Sequence, residues 1–338
     1  MKKILKLSSF IFILFSLVAG CNKQEIVKEE EKPLEEPVIE EKEEPKFTFP
    51  LTGIETEEEN KDRAIAVMIN NHPDARPQSG LHKADMIFEV LAEGGVTRFL
   101  ALFQSEKPEI VGPVRSARHY YVDLAAGYGA LYIHHGWSPK AKELIDAGYV
   151  DSLNGLYYDG TLFRRASFRV APHNSYITFE NILKGAEQKN YSLVRETPRY
   201  TFLEENEVMD GLEHTAVTIN YSTKQFESRF EYDPATEVYH RYTSEGMMED
   251  YETKEKIVLN NVFIIEATHT VIDNSGRLDV DFSSGGVGYL LQKGKYQEVE
   301  WKNVDGRITP YLDGKEVPLV PGKTWISVVT NLNKVTFE

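Results

Sequence analysis

Cys21 is the only cysteine among 338 residues, so nothing inside this chain can be stapled by a disulfide. It stands directly behind Leu17-Val18-Ala19-Gly20. An apolar stretch from Phe10 to Val18 precedes it, and Lys2, Lys3 and Lys6 form a basic head. A charged head, a short apolar run and small residues at the cut are the layout of a secretory signal, here residues 1–20. The run from Ile4 to Gly20 is interrupted by Lys6, Ser8 and Ser9. It falls short of the roughly 20 apolar residues that a spanning helix needs. The remainder must fold around an apolar core. With 41% hydrophobic and 27% charged residues it reads as globular protein, long enough for two ordinary domains.

Small residues followed by cysteine resemble the lipobox of bacterial lipoproteins, in which the thiol is diacylated and the cysteine becomes residue one. The resemblance implies that Cys21 is a lipid attachment site, with a diacylglyceryl anchor and fatty-acyl chains such as palmitate. Two chains hold a protein stably where one holds it marginally. It also implies a place at the cell membrane, on the extracytoplasmic face, and leaves no thiol for zinc or for nucleophilic attack.

Net charge is −15, which argues against non-specific nucleic-acid binding. The charge is unevenly spread. Residues 22–46 hold ten Glu against five Lys, residues 61–199 hold 17 basic and 15 acidic residues, and residues 200–338 hold 13 basic and 24 acidic. Ten of the fourteen arginines fall in the middle block. An arginine-rich unit inside an acidic protein suits an anionic ligand.

Residues 21–60 read as a lipidated start and an acidic tether. Glu and Lys dominate, Pro33, Pro37 and Pro45 break any helix, and charge repulsion extends it. Residues 61–200 read as an α/β layered domain with a mixed sheet. Apolar runs at 64–69, 86–91, 99–103 and 130–133 predict strands. Residues 118–128 predict a helix, Ser138-Pro139 opens another over 140–147, and Thr178 caps a third through Lys189. Residues 201–338, with short alternating runs and turn residues such as Asp233-Pro234 and Asp313-Gly314, predict a smaller, mainly-β domain. The fold class is α+β overall.

Polar groups gather where the predicted strands end, the usual place for a site in an open sheet. Gly112-Pro113-Val114-Arg115-Ser116-Ala117-Arg118 joins a strand to a helix start, where backbone N–H groups and arginines attract anions. Arg98, Arg115, Arg118 and Arg76 are the candidate anion-binding residues. Asn71, His72, Asp85, Glu93, His135, His173 and Asn174 are the candidate polar site. The competing reading is that the arginines pair with Asp85, Glu89 or Glu93. His134 and His135 are adjacent and point to opposite strand faces, and no metal-binding spacing is present, so no metal is expected. The phosphate-binding loop and the Gly-x-Ser-x-Gly elbow are also absent.

Ala64-Ile65-Ala66-Val67-Met68-Ile69 with Asn71-His72, Arg76-Pro77-Gln78-Ser79-Gly80-Leu81, Ala84-Asp85, Glu93-Gly94-Gly95-Val96-Thr97-Arg98, Gly112 to Arg118 and Ala171-Pro172-His173-Asn174 resemble the YerB-like lipoprotein family of Gram-positive bacteria. Pro321-Gly322-Lys323-Thr324-Trp325-Ile326 resembles that family's second domain. The resemblance implies location and a two-domain layout, and lends no catalytic residues. Ala84-Asp85, Pro113-Val114-Arg115 and Ile133-His134-His135-Gly136 also run in the order of motifs in the LytR-CpsA-Psr phosphotransferases, whose arginines hold a polyprenyl pyrophosphate. Here the Pro-Arg-Asp signature is absent, and Ser116 stands near the place of its aspartate.

Two functions follow as expectations. One is a membrane-anchored envelope lipoprotein whose α/β domain binds an anionic cell-envelope ligand, a cell-wall polymer or a partner protein, with a role in cell-wall assembly and no nucleic acid. The alternative is an envelope enzyme on pyrophosphate-linked or cell-wall glycans, which would need Mg²⁺ held by Asp85 or Glu93. No catalytic residue is recognised, and catalysis stays open.

Overall fold

A computed structural model describes residues 47–204, 207 and 209–338. The expected signal, Cys21 and the expected tether up to residue 46 lie outside the described residues. Residues 47–60, grouped above with the tether, belong to the folded body. Phe47–Thr48 pairs antiparallel with Glu55–Thr56, and Leu51 is fully buried between them.

The chain is rich in strands and poor in helices. The apolar runs become the strands Ile65–Asn70, Met86–Leu91, Thr97–Phe103 and Leu131–His134. The helices form at His119–Gly127, Pro139–Asp146 and Phe179–Gln188. Ser138 accepts from the N–H of Ala141 at 3.4 Å and Thr178 from that of Asn181 at 3.2 Å, so both serve as the helix caps read from sequence.

One twelve-stranded mixed sheet takes strands from both halves of the chain. Its seam is Thr324–Val329, which runs parallel to Met86–Leu91, with Thr324 opposite Met86 and Ile326 opposite Phe88. Thr97–Phe103, Ile65–Asn70, Leu131–His134 and Ser152–Asn154 follow on one side. Asn261–Glu266, Gly286–Gln292, Lys295–Val304 and Arg307–Leu312 follow on the other. A six-stranded antiparallel sheet, centred on Ala216–Asn220, Glu227–Asp233 and Val238–Thr243, packs beside it.

Strand side chains alternate between faces, and here both faces are apolar. Ile65, Val67 and Ile69 enter one core cluster, while Ala64, Ala66 and Met68 enter the other. Tyr121, Leu124 and Ala125 of the helix His119–Gly127 cover the second face. Ile182 and Ala186, with Val217, Ile219 and Phe230 of the smaller sheet, cover the first. The expected α/β layering thus gives way to a strand-rich body in which sheet packs on sheet and helices are few. No helix among the described residues is long and apolar enough to cross a membrane.

Candidate functional site

The parallel pair Ile65–Asn70 and Leu131–His134 is zipped only at its start, from Ile65–Leu131 to Val67–Ile133. Beyond that point the Pro113–Ala117 segment runs between them. Arg115 N–H donates to the Met68 carbonyl at 2.8 Å, and His135 N–H donates to the Arg115 carbonyl at 2.9 Å. Ala117 N–H donates to the Gly136 carbonyl at 2.9 Å. Gly136 is required there. Its φ is +84°, and a Cβ would stand 2.9 Å from Ser116 Oγ. The wedge carries Arg115 and Arg118 to the end of the sheet where Asn70, Glu93, Arg98 and His135 also emerge.

Glu93 takes two of the arginines. Its carboxylate accepts from Arg118 Nη2 at 2.7 Å and from Arg118 Nε, and from Arg98 Nη2 at 3.4 Å. Arg98 also donates to the Ser116 carbonyl at 2.8 Å, and Arg118 to that of Ala117 at 2.8 Å. Burial would lift Glu93, but the Arg118 bond and the nearby Arg98 outweigh it and hold the carboxyl below its ordinary value. Burial, then Arg118 and Arg115, pull Arg98 down to about 10. Burial lowers Arg115 too, and Arg118 adds to it.

Arg115 is different. It is half-buried, and no hydrogen bond, ion pair or ring contact among the described residues engages its guanidinium. Glu93 thus pairs with two guanidiniums and leaves the third without a carboxylate of its own. The free one also faces the imidazoles. Burial lowers both His135 and His173, and Arg115 contributes to both shifts.

The other candidates divide. His135 is buried, with Nδ1 2.7 Å from Ser175 Oγ and Nε2 2.8 Å from Arg165 Nη2. Arginine only donates, so Nε2 accepts, and Nδ1–H donates to Ser175. That is the wrong polarity for a histidine that activates a serine. Asn174 spends its amide on the Arg169 carbonyl and its oxygen on Arg165 Nη1 at 3.2 Å. His72 and His173 stack with ring centroids 4.6 Å apart, beside Asp74. Asp74 is not among the residues the sequence singles out. The run Asn70-Asn71-His72-Pro73-Asp74 at a strand end was the available signal.

Asn71, Arg76 and Asp85 do not join the arginine cluster. Asn71 is buried and bonded to Thr97 Oγ1 at 2.7 Å and Glu89 Oε1 at 3.3 Å. Arg76 donates to Asn71 Oδ1 and to the Gln225 carbonyl, both at 3.0 Å, and to Glu245 at 3.3 Å. It ties the first half of the chain to the second. Asp85 is fully buried and accepts from Gln104 N at 2.6 Å, Ser105 N at 3.0 Å and Ser105 Oγ. Asp85 and Glu93 flank opposite ends of the same strand, roughly 25 Å apart at ~3.3 Å per residue. They cannot act as a carboxylate pair or share a Mg²⁺ ion.

Aromatic and apolar side chains border the cluster. Tyr157 is 69% and Leu156 56% exposed, and Tyr157 lies against Trp137 at 5.6 Å. On the Arg169 side, Phe168 stacks on Tyr251 at 4.7 Å.

Known proteins resemble this chain. Residues 51–192 match the "Protein of unknown function (DUF3048) N-terminal domain" and residues 217–326 its C-terminal domain. A curated protein of Bacillus subtilis (strain 168) named "Putative lipoprotein YerB" is 44% identical over 341 residues, covering 100% of this chain and 98% of that one. The crystal structure of YerB from Bacillus subtilis superposes with a TM-score of 0.81 at 46% identity, over 86% of this chain and 99% of that one. With both domains matched in order and the relative aligned end to end, the chain belongs to the two-domain DUF3048 family that includes YerB.

Proposed function

We propose that this chain is a lipid-anchored envelope protein, held through Cys21 at the extracytoplasmic face, whose cationic cluster around Arg115 binds an anionic group of a cell-wall polymer. The observation that carries this reading is the unengaged guanidinium of Arg115 beside two arginines that share a single carboxylate. An unpaired, planar cation at a water-accessible sheet end suits phosphate or carboxylate. The exposed Tyr157 and Leu156 offer apolar contact to the polymer beside the charge. The acidic tether keeps the body clear of the membrane.

Titration with a glycerol-phosphate polymer is the direct test. Arg115→Ala should weaken binding by about 10-fold or more, since a hydrogen bond to a charged group contributes ~1.5–3 kcal/mol. Its melting temperature should not change, because no internal partner is lost. Glu93→Gln, which leaves three guanidiniums without a carboxylate, should tighten binding. Equal affinity in all three proteins removes the reading. The anchor is tested separately. Cys21→Ala should lose acylation and move from the membrane to the soluble fraction. Retention in the membrane would refute attachment through this residue.

A further inference from the structure

We propose that His72, Asp74 and His173 bind a divalent transition-metal ion of the zinc class, and that an oxyanion held by Arg115 completes its coordination. Only the second half rests on the anion-binding reading above. Each residue offers one ligand atom, and these atoms lie within 4.8 Å of one another. Two imidazoles and a carboxylate with a fourth position open form a known type of zinc ligand set. Around a tetrahedral ion with bonds of ~2.0–2.1 Å, neighbouring ligand atoms stand roughly 3.3 Å apart. Closing the set therefore asks for movements of about 1.5 Å. Asp74 has a side chain 72% exposed and can swing inward. His72, whose Nδ1 accepts from Asp74 N–H at 3.2 Å, has to give up that bond to join the set.

The backbone beneath them is already held. Pro73 opens a 3-10 turn over Pro73–Ala75. Arg169 Nη1 donates to the Asp74 carbonyl at 2.7 Å and its Nη2 to that of Pro77 at 2.6 Å. His173 N–H donates to the Val170 carbonyl at 2.9 Å. Asn70 links the His173 ring to the His72 backbone. Its amide nitrogen is 2.8 Å from His173 Nδ1, and its oxygen accepts from His72 N–H at 3.0 Å. A polar partner on Nδ1 is what orients a histidine that binds metal through Nε2. In the metal-bound tautomer Nδ1 carries the proton, so the Asn70 amide would turn to offer its oxygen. That turn gives up the bond from His72 N–H.

The neighbouring charges decide the ligand class. Arg169 grips the loop that carries Asp74. Arg115 follows Pro113, whose carbonyl accepts from Asn70 N–H at 2.9 Å, and Val114, whose N–H donates to the Ser175 carbonyl at 2.7 Å, so it enters the sheet end beside Asn70 and His173. A doubly charged ion beside guanidiniums meets Coulomb repulsion. An oxyanion, phosphate or carboxylate, that bridges ion and Arg115 relieves it. Metal and anion should then strengthen each other's binding by the same factor.

Calorimetry with Zn²⁺ alone tests the metal site. The full chain carrying Cys21→Ala, which removes the one thiol, should bind one equivalent. Asp74→Asn and His173→Ala should each weaken binding by about 100-fold, and the exposed position of Asp74 leaves its variant folded. Dilute inorganic phosphate should tighten zinc binding in the Cys21→Ala chain and not when Arg115→Ala is added. No zinc binding, or binding by Asp74→Asn and His173→Ala as tight as that of the Cys21→Ala chain alone, overturns the metal site. Zinc binding indifferent to phosphate overturns the bridge. Loss of polymer affinity in Arg115→Ala without any zinc binding would leave the anion reading standing and this one refuted.

Discussion

Glu89→Ala should destabilise the protein by about 3–5 kcal/mol, the usual cost of stripping one partner from a buried ion pair. Glu89 is 0% and Arg241 1% exposed. Arg241 Nη2 donates to both carboxylate oxygens, at 3.0 and 2.9 Å, and to Ser228 Oγ at 2.6 Å. Thr97 Oγ1 and Asn71 Nδ2 also donate to Glu89, at 2.9 and 3.3 Å. Removing the carboxylate leaves a guanidinium stranded among Trp325, Phe99 and Phe230, with its centre 4.5, 5.3 and 6.0 Å from their rings. Water cannot reach it there. The double replacement Glu89→Gln with Arg241→Met should be far less harmful, because no uncompensated charge remains. Denaturant unfolding followed by tryptophan fluorescence reads the difference, since Trp325 lies on Arg241. A loss below about 1 kcal/mol for Glu89→Ala would contradict the view that this pair is fully desolvated.

Acidification from pH 6.5 to 4 should remove about 3 kcal/mol for each of His134 and His214. Burial pulls both imidazoles down to about 4. The unfolded chain takes up their protons near pH 6.5 while the folded chain refuses them, so stability present above pH 6.5 is lost as pH falls through this window. Asp85 runs the other way. Burial lifts its carboxyl to about 6 despite the bonds from Ser105 and Gln104. Its contribution is fully present below about pH 3.8 and is lost as pH rises through 6, about 3 kcal/mol in all. Asp85 therefore offsets part of the histidine loss. Asp85→Asn should unfold more steeply with acid, and His134→Gln less steeply. Parallel stability–pH curves for Asp85→Asn and wild type would show that Asp85 ionises as freely folded as unfolded.

The candidate anion site was half legible in the sequence. Polar residues at strand ends can be found from local pattern alone, and the wedge Gly112–Arg118 stands out because it is dense in arginine and small residues. Which arginine stays free cannot be read that way. Glu93 precedes Arg98 by five residues and Arg118 by 25, and only the return of the chain across the sheet end sets all three together. Asp85 was misplaced for a reason the sequence did contain. A six-residue apolar strand stands between it and Glu93, so the two had to leave by opposite ends. His72, Asp74 and His173 were out of reach, since a hundred residues separate the two histidines and the rings meet only through the loop that Arg169 ties down.

From the amino-acid order alone came the strands and helices, their caps and the concentration of arginine. These depend on neighbours a few residues apart, where side-chain periodicity and backbone preference act directly. Only the tertiary structure decided that Thr324–Val329 would lie against Met86–Leu91 and make one sheet from both halves of the chain. It also decided that Glu89 would be spent on Arg241, that Glu93 would serve two arginines, and that Arg115 would be left open. Such pairings follow from which surfaces can exclude water together, and that is a property of the assembled sheet, which no local segment carries.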